Sequence, residues 1–204
     1  VHHFDGSPEA QAIAEKALEA APEHPEVRVF LASLKLEQED SEGARELLEE
    51  ALERSPGNLQ AQSYLAAVHF LRGETAAFDA LEAEILGSNS AAADLYAVLA
   101  EVAVQNRLYP EARDFAARGT EVDSRSWRNF GLLGQNLIRL GQMEEGRAQL
   151  DAAFEGDPYN VWIKNTLDLL DRQVDYVETA TPRFRLVIHL SLIHISEPTR
   201  HRRI

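Results

Sequence analysis

The chain has 204 residues, of which 45% are hydrophobic, and its net charge is −14. The hydrophobic content excludes a disordered chain, and the acidic balance argues against nucleic-acid grooves and anionic membrane surfaces, both of which need Lys and Arg. The absence of cysteine excludes disulfides, thiolate zinc sites and cysteine nucleophiles.

An interval of 34 residues recurs along the chain without an insertion. Pro22, Pro56 and Pro158 occupy one column of this register, and Ser90 and Ser124 fill its gaps. Small residues and leucines keep the same interval, and the repeated columns are Ala10, Ala44, Ala112 and Gly146; Leu31, Leu65, Leu99 and Leu133; and Ala32, Ala66, Ala100 and Gly134. Small side chains suit two helices packed at close range, and proline follows a helix because it cannot continue one.

The 34-residue register divides the chain into successive repeat units. Residues 1–24 form a partial first repeat with only its second helix, and residues 25–158 form four units of 34 residues. Phe78, Glu82 and Ile85 make the unit at 59–90 irregular, so we expect altered packing there, whereas 127–158 follows the pattern best. Residues 159–172 are predicted to be a capping helix.

This helix-turn-helix period resembles the tetratricopeptide repeat (TPR). The resemblance implies an all-α fold, a right-handed superhelical solenoid of antiparallel helix pairs in which the first helix of each unit lines a concave face. It also implies a non-catalytic scaffold that binds a protein or peptide, without a cofactor. We expect no nucleic-acid or membrane partner.

The residues expected to line the concave face support two interpretations. In one, an apolar peptide lies along Leu36, Phe70 and Val104, and its carboxylate meets Arg128 or Arg139. In the other, these side chains pack within the solenoid or against a following domain. The candidate groove residues are Val29, Leu36, Phe70, Val104, Arg128, Gln135, Ile138, Arg139 and Asn165.

The sequence contains no catalytic or metal-binding motif; H-E-x-x-H, the P-loop and G-x-S-x-G are all absent. His2 and His3 are adjacent, which is poor geometry for one metal ion. We therefore predict no enzymatic activity for this chain as given.

After Arg172 the 34-residue period ends, and residues 173–190 are predicted to be a linker and an orphan strand. Alternation over 183–190 indicates the strand, whose pairing partner we expect to belong to a missing domain. Residues 157–189 resemble the junction in bacterial peptidase-MA-like (gluzincin) proteins, where a TPR array precedes a zinc metallopeptidase domain. This resemblance implies an alternative function, the N-terminal array of a truncated metallopeptidase.

Residues 190–200, LSLIHISEPTR, resemble a translated sequencing-library adaptor that is followed by four read-through residues, so residues 191–204 are interpreted as a non-native tail. The N-terminus is expected to be truncated, because Val1 begins within a repeat. We expect a soluble protein, and the cytoplasm and the periplasm both remain open.

Overall fold

The computed structural model describes residues 8–172, 176–180 and 185–189, and the chain divides into two compact units, residues 1–157 and 158–204. The interpretation of 191–204 as a non-native tail lies outside the described residues. The elements are α1 (Pro8–Ala20), α2 (Pro25–Glu37), α3 (Ser41–Arg54), α4 (Leu59–Leu71), α5 (Thr75–Ser88), α6 (Ala93–Gln105), α7 (Tyr109–Val122), α8 (Trp127–Arg139), α9 (Met143–Gly156), α10 (Val161–Arg172), β1 (Tyr176–Ala180) and β2 (Arg185–His189).

The helices of the first unit confirm the all-α helical-repeat class. We call α2, α4, α6 and α8 the A helices, and α3, α5, α7 and α9 the B helices; both sets begin at intervals of 34 residues. Side chains cap two of them, since Asp40 accepts from the Gly43 N–H and Asn58 from the Ala61 N–H, each at 2.9 Å. Asp40 is thus the N-cap of α3, and Ser41 is its first helical residue.

The turn from each A helix to its B helix repeats the same backbone conformation. Glu39, Gly73, Arg107 and Gly141 all have positive φ, between 61° and 83°. In each turn the next residue's N–H bonds a carbonyl five residues back, for example Leu108 N to Ala103 O at 2.8 Å, which is the Schellman pattern. Glycine adopts this conformation freely, whereas glutamate and arginine are strained in it.

We expect Arg107→Gly to stabilise the protein by about 1 kcal/mol. The left-handed conformation costs a residue with a Cβ about 1–2 kcal/mol, part of which the greater freedom of glycine in the unfolded chain offsets. Chemical denaturation would measure the gain. Arg113→Gly within α7 is the matched control and should destabilise by about 1 kcal/mol; equal effects at both positions would contradict the explanation.

Small residues form the contact between paired A and B helices. Ala32, Ala66 and Ala100 on A helices, and Ala44 and Ala112 on B helices, have no exposed surface. In the last pair, α8 and α9, glycines take both positions. The helices of this pair approach so closely that a Cβ added to Gly134 would lie 2.8 Å from the Gly146 carbonyl oxygen.

Helix α5 packs differently from the other B helices. Its backbone lies close to that of α4 but, in the described residues, has few close approaches to the backbone of α6, whereas α3 packs against α4 and α7 against α8. The side chain of Phe78 lies instead with Phe70 of α4 and Phe115 of α7, with ring centroids 6.4 and 6.1 Å away. A large ring at a position occupied by alanine in neighbouring units therefore ties α5 to the next B helix.

Glu82 adds a polar connection between the same helices. It lies 2.8 Å from the Arg118 guanidinium of α7, which covers the ring of Tyr96 at 4.8 Å. Burial, and then the hydrogen bond to Glu82, raises the pKa of Tyr96 to about 12. Phe78 and Glu82, two of the residues that make this unit irregular, thus stabilise a packing of α5 that differs from the packing of the other B helices.

The second unit contains α10 and an antiparallel pair of strands. Strand β2 pairs with β1, with Tyr176 opposite His189 and Ala180 opposite Arg185. The strand predicted at 183–190 is thus present as Arg185–His189, but the expectation that it has no partner in this chain is wrong. Helix α10 buries Ile163, Leu167 and Leu170.

Candidate functional site

A line of polar side chains crosses all four A helices of the first unit. Its centre is Ser33 on α2, Tyr64 on α4, Glu101 on α6 and Arg128 on α8. Because electrostatic contacts join each residue to the next helix, the line behaves as one surface. We define the A-helix face as this line with its flanking residues: Phe30, Ser33, Glu37, Tyr64, Asp94, Glu101, Gln105 and Arg128.

Arg128 forms the strongest charged contact of the face. Its Nε and Nη2 donate to the two carboxylate oxygens of Glu101 at 3.0 and 2.7 Å, which is bidentate geometry. Its Nη1 lies 3.5 Å from Oδ1 of Asp94. Burial works to lower the pKa of the Arg128 guanidinium, but the carboxylates of Glu101 and Asp94 raise it above its usual value, so the group stays charged.

Tyr64 links the charged pair to α2. Burial, followed by the nearby carboxylate of Glu101, raises the pKa of the Tyr64 hydroxyl, which also shares a hydrogen bond with Ser33. The Ser33 hydroxyl donates in turn to the Phe30 carbonyl at 2.7 Å. The Phe30 ring is exposed, so an aromatic surface adjoins the polar line.

The A helices approach one another closely at their C-terminal ends. Gln105 of α6 donates to Glu37 of α2 at 3.3 Å, although one complete unit separates the two helices in sequence. Val29 and Leu36 belong to the buried hydrophobic core, with only 1% and 2% of their surface exposed. The prediction that these two residues line an open groove is corrected.

The other predicted groove residues are distributed unevenly. The Phe70 ring packs edge-to-face on Phe115 at 4.9 Å, and Val104 is half-buried against the core. Arg139 donates to Asn136 at 3.0 Å and lies 5.6 Å from the centre of the Tyr109 ring of α7.

Of the remaining candidates, Gln135 and Ile138 are placed on α8, and Asn165 is exposed on α10 in the second unit. Among the predicted residues, the structure thus places only Arg128 in the polar line. Phe30, Glu37, Tyr64 and Asp94 were not among them. The same 34-residue register marks their columns, because Tyr64 follows Phe30 and Arg128 follows Asp94 at that interval.

A second charged cluster lies where α4 ends and α5 begins. Glu74 accepts from Arg72 Nε at 2.7 Å and lies 2.6 Å from His69 Nδ1. Arg72, followed by His69, lowers the pKa of the Glu74 carboxyl to about 2. Arg72 also binds Glu42 of α3, so the cluster connects neighbouring units and is structural.

Within the described residues, no group of three His, Asp or Glu side chains is placed to hold a metal ion. None of the described helices is long and apolar enough to cross a membrane.

Residues 10–107 match the family model of the second ARM domain of tetratricopeptide repeat protein 21. The chain has a TPR/ARM-like helical-repeat fold. No curated protein sequence matches it.

Two solved structures share the fold of this helical repeat protein. One is a TPR protein of Thermus thermophilus, with 19% sequence identity, a TM-score of 0.55, and coverage of 78% of this chain and 88% of the other. The second is a TPR protein of Parabacteroides merdae, with 16% identity, a TM-score of 0.55, and coverage of 78% of this chain and 62% of the other. At these identities the similarity concerns the fold alone.

Proposed function

We propose that this helical repeat protein is a non-catalytic interaction scaffold that holds a segment of a partner protein on the A-helix face. The observation that carries the proposal is the connected line from Ser33 through Tyr64 and Glu101 to Arg128. Stacked repeats use such extended surfaces for binding, because each unit adds side chains to the same side.

The composition of the face suits a peptide ligand. The Phe30 ring is exposed and Tyr64 is half-buried beside the polar line, and aromatic side chains contribute a large share of binding energy at protein interfaces. The charged residues beside them are partly exposed and already paired. An extended segment would therefore find apolar contacts flanked by groups that set its orientation.

The test is selection of short random peptides on the full chain, followed by affinity measurement with fluorescence anisotropy. Replacing Phe30 and Tyr64 together with alanine should weaken selected peptides at least about tenfold, which corresponds to ~1.4 kcal/mol. Tyr109→Ala on α7 removes a ring of similar size from a B helix and is the matched control.

Circular dichroism and thermal melts would establish that each variant remains folded. Failure to select any peptide would overturn the proposal, as would equal losses in the double variant and in Tyr109→Ala.

A further inference from the structure

We infer that the partner segment held on the A-helix face carries a cationic side chain, arginine or lysine, which the carboxylates of Glu101 and Asp94 receive in competition with Arg128. This inference rests on the proposed function and specifies the chemistry of its ligand. It reverses one of the two interpretations of the sequence, in which a ligand carboxylate meets Arg128 or Arg139.

The first step is the charge of the face. The residues that define the face include three carboxylates, those of Glu37, Asp94 and Glu101, and a single guanidinium, that of Arg128, which contacts Asp94 and Glu101. Arg139, the other cation predicted from sequence, is engaged by Asn136 and by the Tyr109 ring of a B helix. The face therefore has a negative balance, which complements a positive ligand and opposes a negative one.

The second step is geometry. Both oxygens of Glu101 hold the planar fork of a guanidinium at 2.7 and 3.0 Å, so this carboxylate already has the position and orientation that an arginine requires. A ligand carboxylate approaching Arg128 would have to replace Glu101 and then lie beside it. Repulsion between two carboxylates disfavours that arrangement.

The third step is accessibility. The Arg128, Glu101 and Asp94 side chains are 39%, 33% and 69% exposed, and Asp94 meets Arg128 only at 3.5 Å. Partly exposed ion pairs are weak and exchange readily. A ligand cation can thus bind Asp94 first and displace the Arg128 side chain from Glu101, while the rings of Phe30 and Tyr64 provide adjoining apolar and cation–π contacts.

Substitution of Arg128 tests whether the ligand group at this site is cationic or anionic. In the Arg128→Gln variant, the carboxylates of Glu101 and Asp94 lose the guanidinium that pairs with them. Peptides containing arginine or lysine should therefore bind this variant about fivefold more tightly than they bind the original chain. Glu101→Gln should weaken the same peptides about fivefold. Both effects should shrink as salt is raised, because the groups are partly exposed.

The matched controls lie in one exposed ion pair on α7, where Arg113 binds Asp114 at 2.7 Å. Arg113→Gln and Asp114→Asn change the net charge by the same amounts as Arg128→Gln and Glu101→Gln, but on a B helix. Neither control should alter affinity by more than about twofold, since charges far from the ligand are screened.

The probes are the peptides selected from the random library, together with versions in which every arginine and lysine is replaced by glutamine. Enrichment of arginine and lysine over the unselected library, with tighter binding to Arg128→Gln, supports the inference. Enrichment of acidic residues, or weaker binding to Arg128→Gln, overturns it and leaves the scaffold proposal intact. If no peptide is selected at all, both proposals fail.

Discussion

Gly134→Ala is expected to destabilise the protein by about 1–2 kcal/mol. A Cβ at this position would lie 2.7 Å from Leu150 Cγ and 2.8 Å from the carbonyl oxygen of Gly146. Leu150 is fully buried and the carbonyl belongs to the backbone of α9, so neither atom can move without shifting a helix. Overpacking of this kind costs about 1–3 kcal/mol, and the better helix propensity of alanine returns only about 1 kcal/mol.

Gly87→Ala is the matched control for this change. Gly87 also lies within a helix, α5, but nothing approaches within 4 Å of its added Cβ. This variant should gain up to about 1 kcal/mol from helix propensity. Urea unfolding monitored by circular dichroism measures both variants, and an unchanged or increased stability for Gly134→Ala would show that α8 and α9 are not in such close contact.

Phe78→Ala should lower the free energy of unfolding by about 3 kcal/mol. This loss is expected even though the equivalent positions of the neighbouring units are occupied by alanines, Ala44 and Ala112. The Phe78 residue is only 9% exposed, and its ring packs among Phe70 and Phe115, so truncation leaves a cavity between them. Restoring the repeat pattern would therefore weaken this unit, because the packing of α5 depends on the ring.

Two further variants test whether the expected loss of stability comes from the buried ring of Phe78. Phe78→Leu retains part of the volume and should lose less, about 1–1.5 kcal/mol, whereas Phe30→Ala on the exposed face should lose under about 1 kcal/mol. Thermal and chemical denaturation provide the values. A gain in stability for Phe78→Ala would instead indicate that α5 packs as a regular B helix.

The helical architecture could be predicted because it depends on local spacing. Proline, alanine and leucine columns repeat every 34 residues, and the helices begin at that same interval. The direction in which a side chain points was less predictable. Val29 and Leu36 occupy columns that were expected to face a ligand, but both side chains are buried in the hydrophobic core.

Contacts distant in sequence account for the other differences. Arg128 was identified as a cation of the concave surface, but its carboxylate partners on α6 could be recognised only after the helices were placed together. Strand β1 was missed because the short segment YVETA has little periodicity apart from its partner. The metallopeptidase alternative stays a prediction, since it concerns residues beyond His189.

The contact between Glu37 and Gln105 alters how folding is coupled along the array. In an ideal repeat protein each unit interacts only with its nearest neighbours, so stability can be described as a linear chain of coupled elements. Here α2 reaches α6 past an intervening unit, and α4 packs against both. These second-neighbour interactions couple units that are not adjacent in sequence, so we expect the three units to unfold more cooperatively than an array with nearest-neighbour contacts alone.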